Sequence, residues 1–302
     1  MGVNHDPIQL TPEFMREWPL PQPTGDVDKE ARGDVLVIGG AISMPGAIVL
    51  AGTAALRAGA GRLQMATCRS VAQIVAMAIP ESKVFALPET RAGGIRPSAA
   101  SELANYANAA KATLVGPGMV DFPAVQRLMR RFLPRVDKTV LVLDAMAMEC
   151  AARMPEELHR LSYGLILTPN AGEMAGMLGI DKQRVADDPL AAARQAARQF
   201  GAVVAAKGSV THIAAPDGEA YSFHSNNIGM ATSGSGDTLS GVIAGLAARG
   251  APPIQALAWG VYLHGAAGDR LARRMGRLGF LARELLAEVP PLMAELEPPE
   301  QT

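Results

Sequence analysis

The chain has 302 residues, of which 49% are hydrophobic, and its 28 basic and 29 acidic side chains leave a formal net charge of -1. This length and composition can fill one large core, and α/β folds of this size are often a single domain. The sequence holds no block of like charge that would bind nucleic acid or an anionic membrane surface, so neither partner is expected.

The cysteines and the N-terminus bear on where the chain works. Cys68 and Cys150 lie far apart and no Cys-x-x-Cys occurs, so neither a disulfide framework nor a zinc site is predicted. Residues 1–6 lack the basic-then-apolar pattern of a signal peptide, and no apolar run approaches the roughly 20 residues that span a bilayer. We therefore expect a cytoplasmic protein that contacts no membrane.

The first 33 residues differ in composition from the rest of the chain. Their prolines prevent a continuous helix and predict an extended arm that packs on the body of the protein or on a neighbouring chain. These prolines are Pro7, Pro12, Pro19, Pro21 and Pro23. We expect an arm over residues 1–33, a single body over residues 34–292 and a tail over residues 293–302.

From residue 34 onward, short β-branched runs alternate with alanine-rich segments of helical spacing. The runs that predict buried parallel strands cover residues 35–38, 63–66, 113–115, 140–143, 165–167 and 203–206. Helical segments are predicted over residues 47–58, 122–133, 146–153, 171–178 and 189–200. This alternation indicates an α/β protein with three layers, in which helices cover both faces of a central, mostly parallel sheet.

The last third of the chain begins with a hairpin and ends in helices. Residues 211–214 and 220–223 predict two antiparallel strands joined by a turn at Pro216-Asp217-Gly218. Helices are expected over residues 254–274 and 282–289. Between the hairpin and these helices lies the sequence Gly234-Ser235-Gly236-Asp237, which we call the glycine turn. It is the segment most informative about chemistry.

The glycine turn runs directly into an amphipathic helix. The apolar positions of this helix are Leu239, Val242, Ile243 and Leu246. Their spacing places the helix N-terminus between residues 236 and 238, where unpaired N–H groups bind anions and glycines let a phosphate approach closely. Asp is also a favoured N-cap residue, so ordinary capping is the alternative interpretation. The pattern predicts a phosphate-binding turn with Asp237 beside the phosphate.

Polar and glycine-rich loops also follow the predicted strands. These loops carry Gly39-Gly40, Gly116-Pro117-Gly118, Asp144, Thr168-Pro169-Asn170 and Lys207-Gly208. In open α/β sheets ligands bind beyond the carboxyl ends of the strands, so we expect the loops to meet at one edge. For Lys207 the alternative is a strand-end lysine that extends into solvent.

Several segments of the chain resemble one family when they are taken together. They are Met44-Pro45-Gly46-Ala47, residues 54–61, residues 78–81, Gly116-Pro117-Gly118, residues 165–173, Lys207-Gly208, Gly229-Met230-Ala231-Thr232 and Leu263-His264-Gly265. They resemble the ADP- or ATP-dependent NAD(P)H-hydrate dehydratases, a branch of the ribokinase-like superfamily. The resemblance covers most of the chain and implies a ribokinase-like catalytic domain over residues 34–292.

The resemblance implies a lyase that repairs NADH hydrate or NADPH hydrate with ADP or ATP as co-substrate. Transient phosphorylation of the hydrate hydroxyl makes it a good leaving group, and elimination of phosphate restores the dihydropyridine. In this interpretation Asp237 accepts the hydroxyl proton. Gly234, Ser235 and Gly236 are also assigned to the catalytic turn, where amides over residues 234–237 stabilise the developing charge.

Binding residues follow from the same resemblance. Those implied for the nucleotide are Lys207, Gly208, Ser209, Val210, Thr211 and Gly236. Those implied for the hydrate are Ala47, Gly118, Asn170 and Asp237. Mg²⁺ is expected to arrive with the nucleotide, held through water by Asp144 or Glu173. A homo-oligomer, with a tetramer expected, is implied as well, and His264 on its helix is interpreted as structural.

Two positions depart from the family pattern. Asn170 stands where the family usually has His, and it keeps an amide that can donate and accept hydrogen bonds. Met146 stands where the family usually has Asp, which replaces a carboxylate by an apolar thioether. We expect the substrate preference or the rate to have drifted from that of the family.

Two other functions remain open at this stage. One is a ribokinase-like kinase for a vitamin precursor or a sugar, whose phosphorylated product is stable. The other is a degenerate nucleotide-binding regulator, which the retained Asp237 disfavours because binding alone needs no base. Neither a Walker motif nor a Gly-x-Gly-x-x-Gly loop after the first strand is present, so P-loop and dinucleotide-binding folds are not expected.

Overall fold

The fold is built on one central sheet. The computed structural model describes residues 6–22, 32–225 and 227–297. Within them the strands are β1 (Ile8–Gln9), β2 (Asp34–Ile38), β3 (Arg62–Cys68), β4 (Ser82–Leu87), β5 (Ala112–Val115), β6 (Val140–Leu143), β7 (Leu165–Leu167), β8 (Val203–Ala206), β9 (Val210–Ala214) and β10 (Ala220–His224). Their order across the sheet is β1-β10-β9-β8-β7-β6-β5-β2-β3-β4. Strand β9 is antiparallel to β8 and β10, and the other adjacent pairs are parallel, as predicted.

Helices cover both faces of this sheet. They are α1 (Pro12–Glu17), α2 (Pro45–Arg57), α3 (Arg69–Ala78), α4 (Ala100–Ala109), α5 (Phe122–Phe132), α6 (Ala145–Ala151), α7 (Pro155–His159), α8 (Ala171–Leu178), α9 (Lys182–Asp187), α10 (Pro189–Phe200), α11 (Ser235–Ala248), α12 (Pro253–Met275) and α13 (Ala282–Leu296). Side chains alternate between the faces, so Val35 and Val37 of β2 join the core with α2, α11 and α12, while Leu36 and Ile38 join the core with α4, α5 and α6. The predicted three-layer architecture is confirmed.

Several elements were not predicted from the sequence. Strand β4 lies at the edge of the sheet, where its side chains are largely exposed or half-buried, so it lacks the continuous buried run that marks the central strands. The helices α3, α4, α7 and α9 were also missed. Among the described helices, none has both the length and the apolar character that crossing a membrane would require.

The last helix is longer than its sequence indicates. It was predicted to end at residue 289, before Pro290 and Pro291, because proline inside a helix removes a backbone donor. Helix α13 nevertheless continues to Leu296, and Met293 and Leu296 are buried in the core. Burial of these side chains offsets the cost of the prolines, so the predicted tail from residue 293 begins inside a packed helix.

The described part of the N-terminal arm packs on the body of the protein. Strand β1 pairs in parallel with β10, and α1 follows it, so the arm is not extended throughout as predicted. The Trp18 ring stacks on Tyr221 with 5.3 Å between ring centroids, and the Trp259 indole N–H donates to the Trp18 carbonyl at 2.9 Å. Residues 1–5 and 23–31 of the predicted arm lie outside the described residues.

Helix α11 approaches α2 so closely that only glycine fits at two positions of α11. A Cβ built on Gly241 would lie 2.2 Å from the Ala51 carbonyl oxygen, and one built on Gly245 would lie 2.4 Å from that of Ala55. Both distances are far shorter than a van der Waals contact, and the atoms met are backbone atoms that cannot turn aside. The two glycines therefore fix the separation of the helices.

We expect Gly241→Ala to lower the free energy of unfolding by about 1–3 kcal/mol or more, because the added methyl forces the two helices apart. Gly176→Ala in α8 is the matched control, since a Cβ there meets no atom within 4 Å. That control should raise the free energy of unfolding by about 0.5–1 kcal/mol, because alanine is the better helix former. Urea unfolding of both variants measures the difference, and equal stabilities would contradict the close packing.

Candidate active site

The loops after the central strands meet at one edge of the sheet, as the sequence predicts. The Lys207 amide donates to the Pro169 carbonyl at 2.9 Å, and Asn170 and Lys207 form an isolated parallel bridge. Gly116 lies against Asp144, because a Cβ built on Gly116 would lie 2.0 Å from the Asp144 carbonyl oxygen. The ends of β5, β6, β7 and β8 are thus neighbours at this edge.

A cluster of charged side chains occupies the centre of the edge. The Lys207 ammonium nitrogen lies 3.7 Å from Asp144 Oδ1 and 3.9 Å from Glu173 Oε2. Asp144 is buried, and its Oδ1 also accepts a 2.9 Å hydrogen bond from the Thr168 hydroxyl. A buried carboxylate is costly unless it is paired and hydrogen-bonded, and Asp144 has both kinds of partner. Lys207 is therefore part of a charge cluster and not a free surface lysine.

The glycine turn faces this cluster. Helix α11 begins at Ser235, one residue before the predicted range, and Gly234 precedes it with a left-handed φ of 87°. A Cβ built on Gly236 would lie 3.7 Å from the Lys207 ammonium nitrogen. The first N–H groups of a helix lack intrahelical acceptors. The ammonium group and the helix N-terminus together provide positive charge and N–H donors that can bind a phosphate group.

Asp237 lies in the first turn of α11 and is half-buried. Its pKa is raised to about 6, first by burial and then by the Asp144 carboxylate, while the Lys207 ammonium lowers it. A carboxyl group with this pKa is mostly ionised at neutral pH, and it binds a proton more readily than an ordinary aspartate. This environment suits a general base.

A cavity of about 810 Å³ opens beside the glycine turn. Its lining residues are Asn170, Lys207, Gly208, Ser209, Thr211, Phe223, Ser225, Asn227, Ile228, Met230, Ala231, Thr232, Ser235, Gly236, Leu239, Val261, His264 and Gly265. The lining includes the residues predicted for the nucleotide except Val210, and it also includes Asn170, which was predicted for the hydrate. Buried apolar side chains of Phe223, Leu239 and Val261 contribute to the same lining. This combination of volume and lining is typical of a small-molecule site.

Some lining residues were missed by the sequence analysis. Phe223 lies opposite Thr211 in the hairpin register, so the predicted hairpin could have revealed it once the register was known. His264, interpreted from the sequence as structural, lines the cavity with its Nε2 3.2 Å from the Ser235 hydroxyl oxygen. Helical spacing alone does not show which face of α12 meets the cavity.

Ala47 and Gly118 form a second group at the same edge. A Cβ built on Gly118 would lie 2.8 Å from the Ala47 Cβ and 2.6 Å from the Met44 carbonyl oxygen. Both residues lie outside the lining of the cavity. Gly116 and Asp144 connect this group to the charge cluster. The structure thus divides the predicted binding residues into two groups, one on each side of Asp144.

Comparisons with known proteins identify the family of the chain. Residues 35–291 match the family described as NAD(P)H-hydrate dehydratase. The chain is 44% identical to the ADP-dependent (S)-NAD(P)H-hydrate dehydratase of Xanthomonas campestris, covering 95% of this chain and 96% of that protein. The chain belongs to the NAD(P)H-hydrate dehydratase family.

Two further relatives of this family place the chain in its wider context. The bifunctional NAD(P)H-hydrate repair enzyme of Moorella thermoacetica is 41% identical over 94% of the chain, which spans only 53% of that longer protein. The crystal structure of the ADP/ATP-dependent NAD(P)H-hydrate dehydratase from Bacillus subtilis, co-crystallized with ATP and Mg²⁺, superposes with a TM-score of 0.78. It is 29% identical, with 96% of this chain and 99% of that chain covered. The ribokinase-like fold predicted from the sequence is confirmed.

Asn170, one of the two departures from the family pattern, has a structural task in this chain. Its side-chain oxygen accepts hydrogen bonds from the Gly172 and Glu173 amides at 2.9 and 3.0 Å. The Glu173 carboxylate accepts a 2.7 Å hydrogen bond from the backbone N–H of Asn170, which completes a capping box at the start of α8. Asn170 therefore fixes the position of Glu173 beside Lys207.

We expect Asn170→Ala to lower the free energy of unfolding by about 1 kcal/mol, because the N-cap of α8 is lost. Asn170→Ser keeps an oxygen that caps about as well and should stay within roughly 0.5 kcal/mol of the original chain. Urea unfolding measures both variants. If the serine variant loses as much stability as the alanine variant, capping is not the structural task of Asn170.

Proposed function

We propose that this chain restores NADH or NADPH from the corresponding hydrate by dehydration that consumes ADP or ATP. The observation that carries the proposal is the position of Asp237. It lies in the first turn of α11, directly after Gly236 of the cavity lining, and it is close enough to Asp144 and Lys207 for both to act on its pKa. A hydroxyl bound near Asp237 would meet a phosphate bound at the glycine turn.

Asp237 acts in this proposal as the general base. It takes the proton from the hydrate hydroxyl while that oxygen forms a bond to the terminal phosphorus of the nucleotide, and the bond from phosphorus to the remaining nucleotide breaks. Amides at the start of α11 stabilise the charge that develops on the transferred group. Loss of phosphate from the hydrated ring, with loss of a ring proton, then restores the double bond.

The cavity supplies the nucleotide site. Lys207 carries the charge for the phosphates, and Thr211 and the backbone of Gly208 lie next to it in the lining. The buried apolar wall of Phe223, Leu239 and Val261 offers a surface for the adenine ring. Its volume of about 810 Å³ lies within the usual range for ligand cavities. These features support ADP or ATP as the co-substrate.

Ala47, Gly118 and Asn170 are proposed to contact the hydrate, together with Asp237. A side chain at position 118 would clash with Ala47 and with the Met44 carbonyl, so glycine keeps this loop free of a side chain where the hydrate is proposed to bind. The serine variant of Asn170 keeps the cap, so it can separate an amide contact with the hydrate from the structural task of this residue.

Mg²⁺ is proposed to enter with the nucleotide phosphates. No group of three or more His, Cys, Asp or Glu side chains within residues 6–22, 32–225 and 227–297 is arranged to hold a metal. The oxygens of Asp144 and Glu173 are ligands that Mg²⁺ accepts through water, and both lie within 4 Å of the Lys207 ammonium group. When bound, Mg²⁺ neutralises charge on the phosphates. Mg²⁺ usually keeps several waters and needs only one or two protein carboxylates, so Asp144 and Glu173 could hold it through water.

We also propose that the enzyme works in the cytoplasm as a homo-oligomer, with a tetramer expected from the family resemblance. The thiols of Cys68 and Cys150 are free and buried, which is compatible with a reducing compartment. Exposed apolar side chains on α3, Ile74 and Met77, are surfaces that association could cover.

The decisive experiment is recovery of absorbance at 340 nm from NADH hydrate or NADPH hydrate after addition of ADP or ATP with Mg²⁺. Phosphate release in proportion to the recovered cofactor is expected. A stable phosphorylated product without recovery of absorbance would instead support a ribokinase-like kinase. Nucleotide binding without any turnover would support a regulator.

Asp237→Asn should lower kcat by at least about 100-fold while nucleotide binding persists, because the amide keeps the shape and removes the base. Calorimetry and the 340 nm assay on one preparation measure both properties. The matched control is Asp137→Asn, whose side chain is exposed and which precedes β6, whereas Asp144 of the cluster follows the other end of that strand. Retention of more than about a hundredth of the original rate would exclude Asp237 as the base.

Lys207→Ala should raise KM for ADP or ATP by about 10–100-fold, because a charged contact with phosphate is lost. KM for the hydrate should change much less. Lys182→Ala removes an exposed lysine from the start of α9 and is the control. A larger effect on the hydrate than on the nucleotide would place Lys207 in the other subsite.

A further inference from the structure

His264 is the one imidazole in the lining of the described cavity, and the proposed chemistry gives it no task. It lies on α12, and its Nε2 is 3.2 Å from the hydroxyl oxygen of Ser235. Ser235 is the first residue of α11 and a member of the glycine turn. A side chain on one helix therefore reaches the catalytic turn at the start of another.

Ser235 is held from several directions. Its amide donates to the Thr232 carbonyl at 3.2 Å, and its own carbonyl accepts a 2.7 Å hydrogen bond from the Thr238 hydroxyl. His264 adds the contact to the side chain. These bonds fix the backbone of the turn, and among the described residues the contact with His264 is the one hydrogen bond that involves the Ser235 hydroxyl.

The imidazole of His264 is neutral at physiological pH. Its pKa is lowered to about 4, first by burial and also by the Lys207 ammonium group. A hydrogen bond with the Ser235 backbone raises the pKa and offsets part of this effect. In neutral imidazole one ring nitrogen carries a proton and the other accepts. When Nε2 carries the proton and donates to Ser235, the hydroxyl proton of Ser235 is left for another acceptor.

A serine beside a histidine can also be a nucleophile with its base. That assignment fits this pair poorly, because an imidazole with a pKa of about 4 removes little of the barrier to deprotonating a hydroxyl. Asp237, with a pKa of about 6, lies two residues further along the same helix and is the stronger base. Orientation of a hydrogen-bond donor is the task that remains for His264.

We propose that His264 is a positioning residue that holds the Ser235 hydroxyl with its proton directed into the nucleotide cavity, where it donates to the terminal phosphate. The inference rests on the proposed function and deepens it. Ser235 and His264 both line the cavity, and Gly236, next to Ser235, faces Lys207. A phosphate bound at the turn would therefore lie within reach of the Ser235 hydroxyl, the turn amides and the Lys207 ammonium group. The hydroxyl adds a donor to the amides and the ammonium group.

Four variants test the proposal. His264→Leu fills a similar volume without a hydrogen bond, and Ser235→Ala removes the donor itself. His264→Gln places an amide nitrogen near the position of Nε2, whereas the shorter side chain of His264→Asn reaches only near Nδ1. The leucine variant, the alanine variant and their double variant form a double-mutant cycle.

We expect His264→Leu and Ser235→Ala each to weaken ADP or ATP binding by about tenfold, with affinity for adenosine unchanged, because the lost contact is with phosphate. The double variant should bind no more weakly than either single variant. His264→Gln should retain most of the affinity and kcat, and His264→Asn should behave like the leucine variant. Calorimetry measures binding, the 340 nm assay measures kcat, and thermal unfolding should change little.

The outcomes separate this proposal from the proposed function. Absence of dehydration by the unaltered chain contradicts the proposed function, while the binding cycle still decides the task of His264. Three results would overturn the positioning of Ser235 by His264. They are additive losses of nucleotide affinity in the double-mutant cycle, a loss of adenosine affinity equal to the loss of nucleotide affinity, and equal losses in His264→Gln and His264→Leu. A fall in thermal stability that parallels the fall in binding would mean that His264 is structural, as its sequence context suggested.

Discussion

The contact between α11 and α2 is the constraint on which the site depends. Because Gly241 and Gly245 bring the two helices to backbone contact, α11 cannot shift along α2 without a clash or move away from it without opening a void in the core. Helix α2 carries Ala47 in its first turn, and α11 begins at the glycine turn. The same packing therefore sets the distance between the proposed hydrate residues and the proposed phosphate residues. A change in core packing between these helices would therefore also change the geometry of the site, since protein interiors are dense and transmit displacements.

The second constraint is electrostatic. Asp144, Glu173 and Asp237 surround a single ammonium group from Lys207, so the cluster carries more negative than positive side chains. An anionic phosphate entering such a site meets repulsion that Lys207 and the helix N-terminus offset only in part. In the proposed function, a divalent cation that travels with the phosphates would supply the missing positive charge. Under the proposed function, the excess of carboxylates would favour a metal–nucleotide complex over the free nucleotide. Burial first, and the Asp144 carboxylate second, raise the pKa of Asp237 to about 6.

Much of this structure could be predicted because buried parallel strands are nearly continuous apolar runs. The bounds predicted for β6, β7 and β8 agree with the structure, as do those for α8 and α10. The meeting of Lys207 with Asn170 followed from the rule that strand ends share an edge. Two kinds of feature escaped prediction. Strand β4 lacks the buried pattern because it is an edge strand, and the place of His264 depends on how α12 is rotated against α11, which helical spacing does not fix.

The wall of the cavity depends on the N-terminal arm as well as on the body. Phe223 lies in β10 and Ser225 directly follows that strand, and both line the cavity. Without β1, strand β10 would be the edge of the sheet and its outer backbone groups would be unpaired. Strand β1 pairs with β10 there, and the stacking of Trp18 on Tyr221 holds the arm in place. Tyr221 and Phe223 lie two positions apart and so point to the same face of β10. By packing on Tyr221, the arm supports the face of β10 that also carries Phe223, and an adenine ring would lie on the apolar surface formed there.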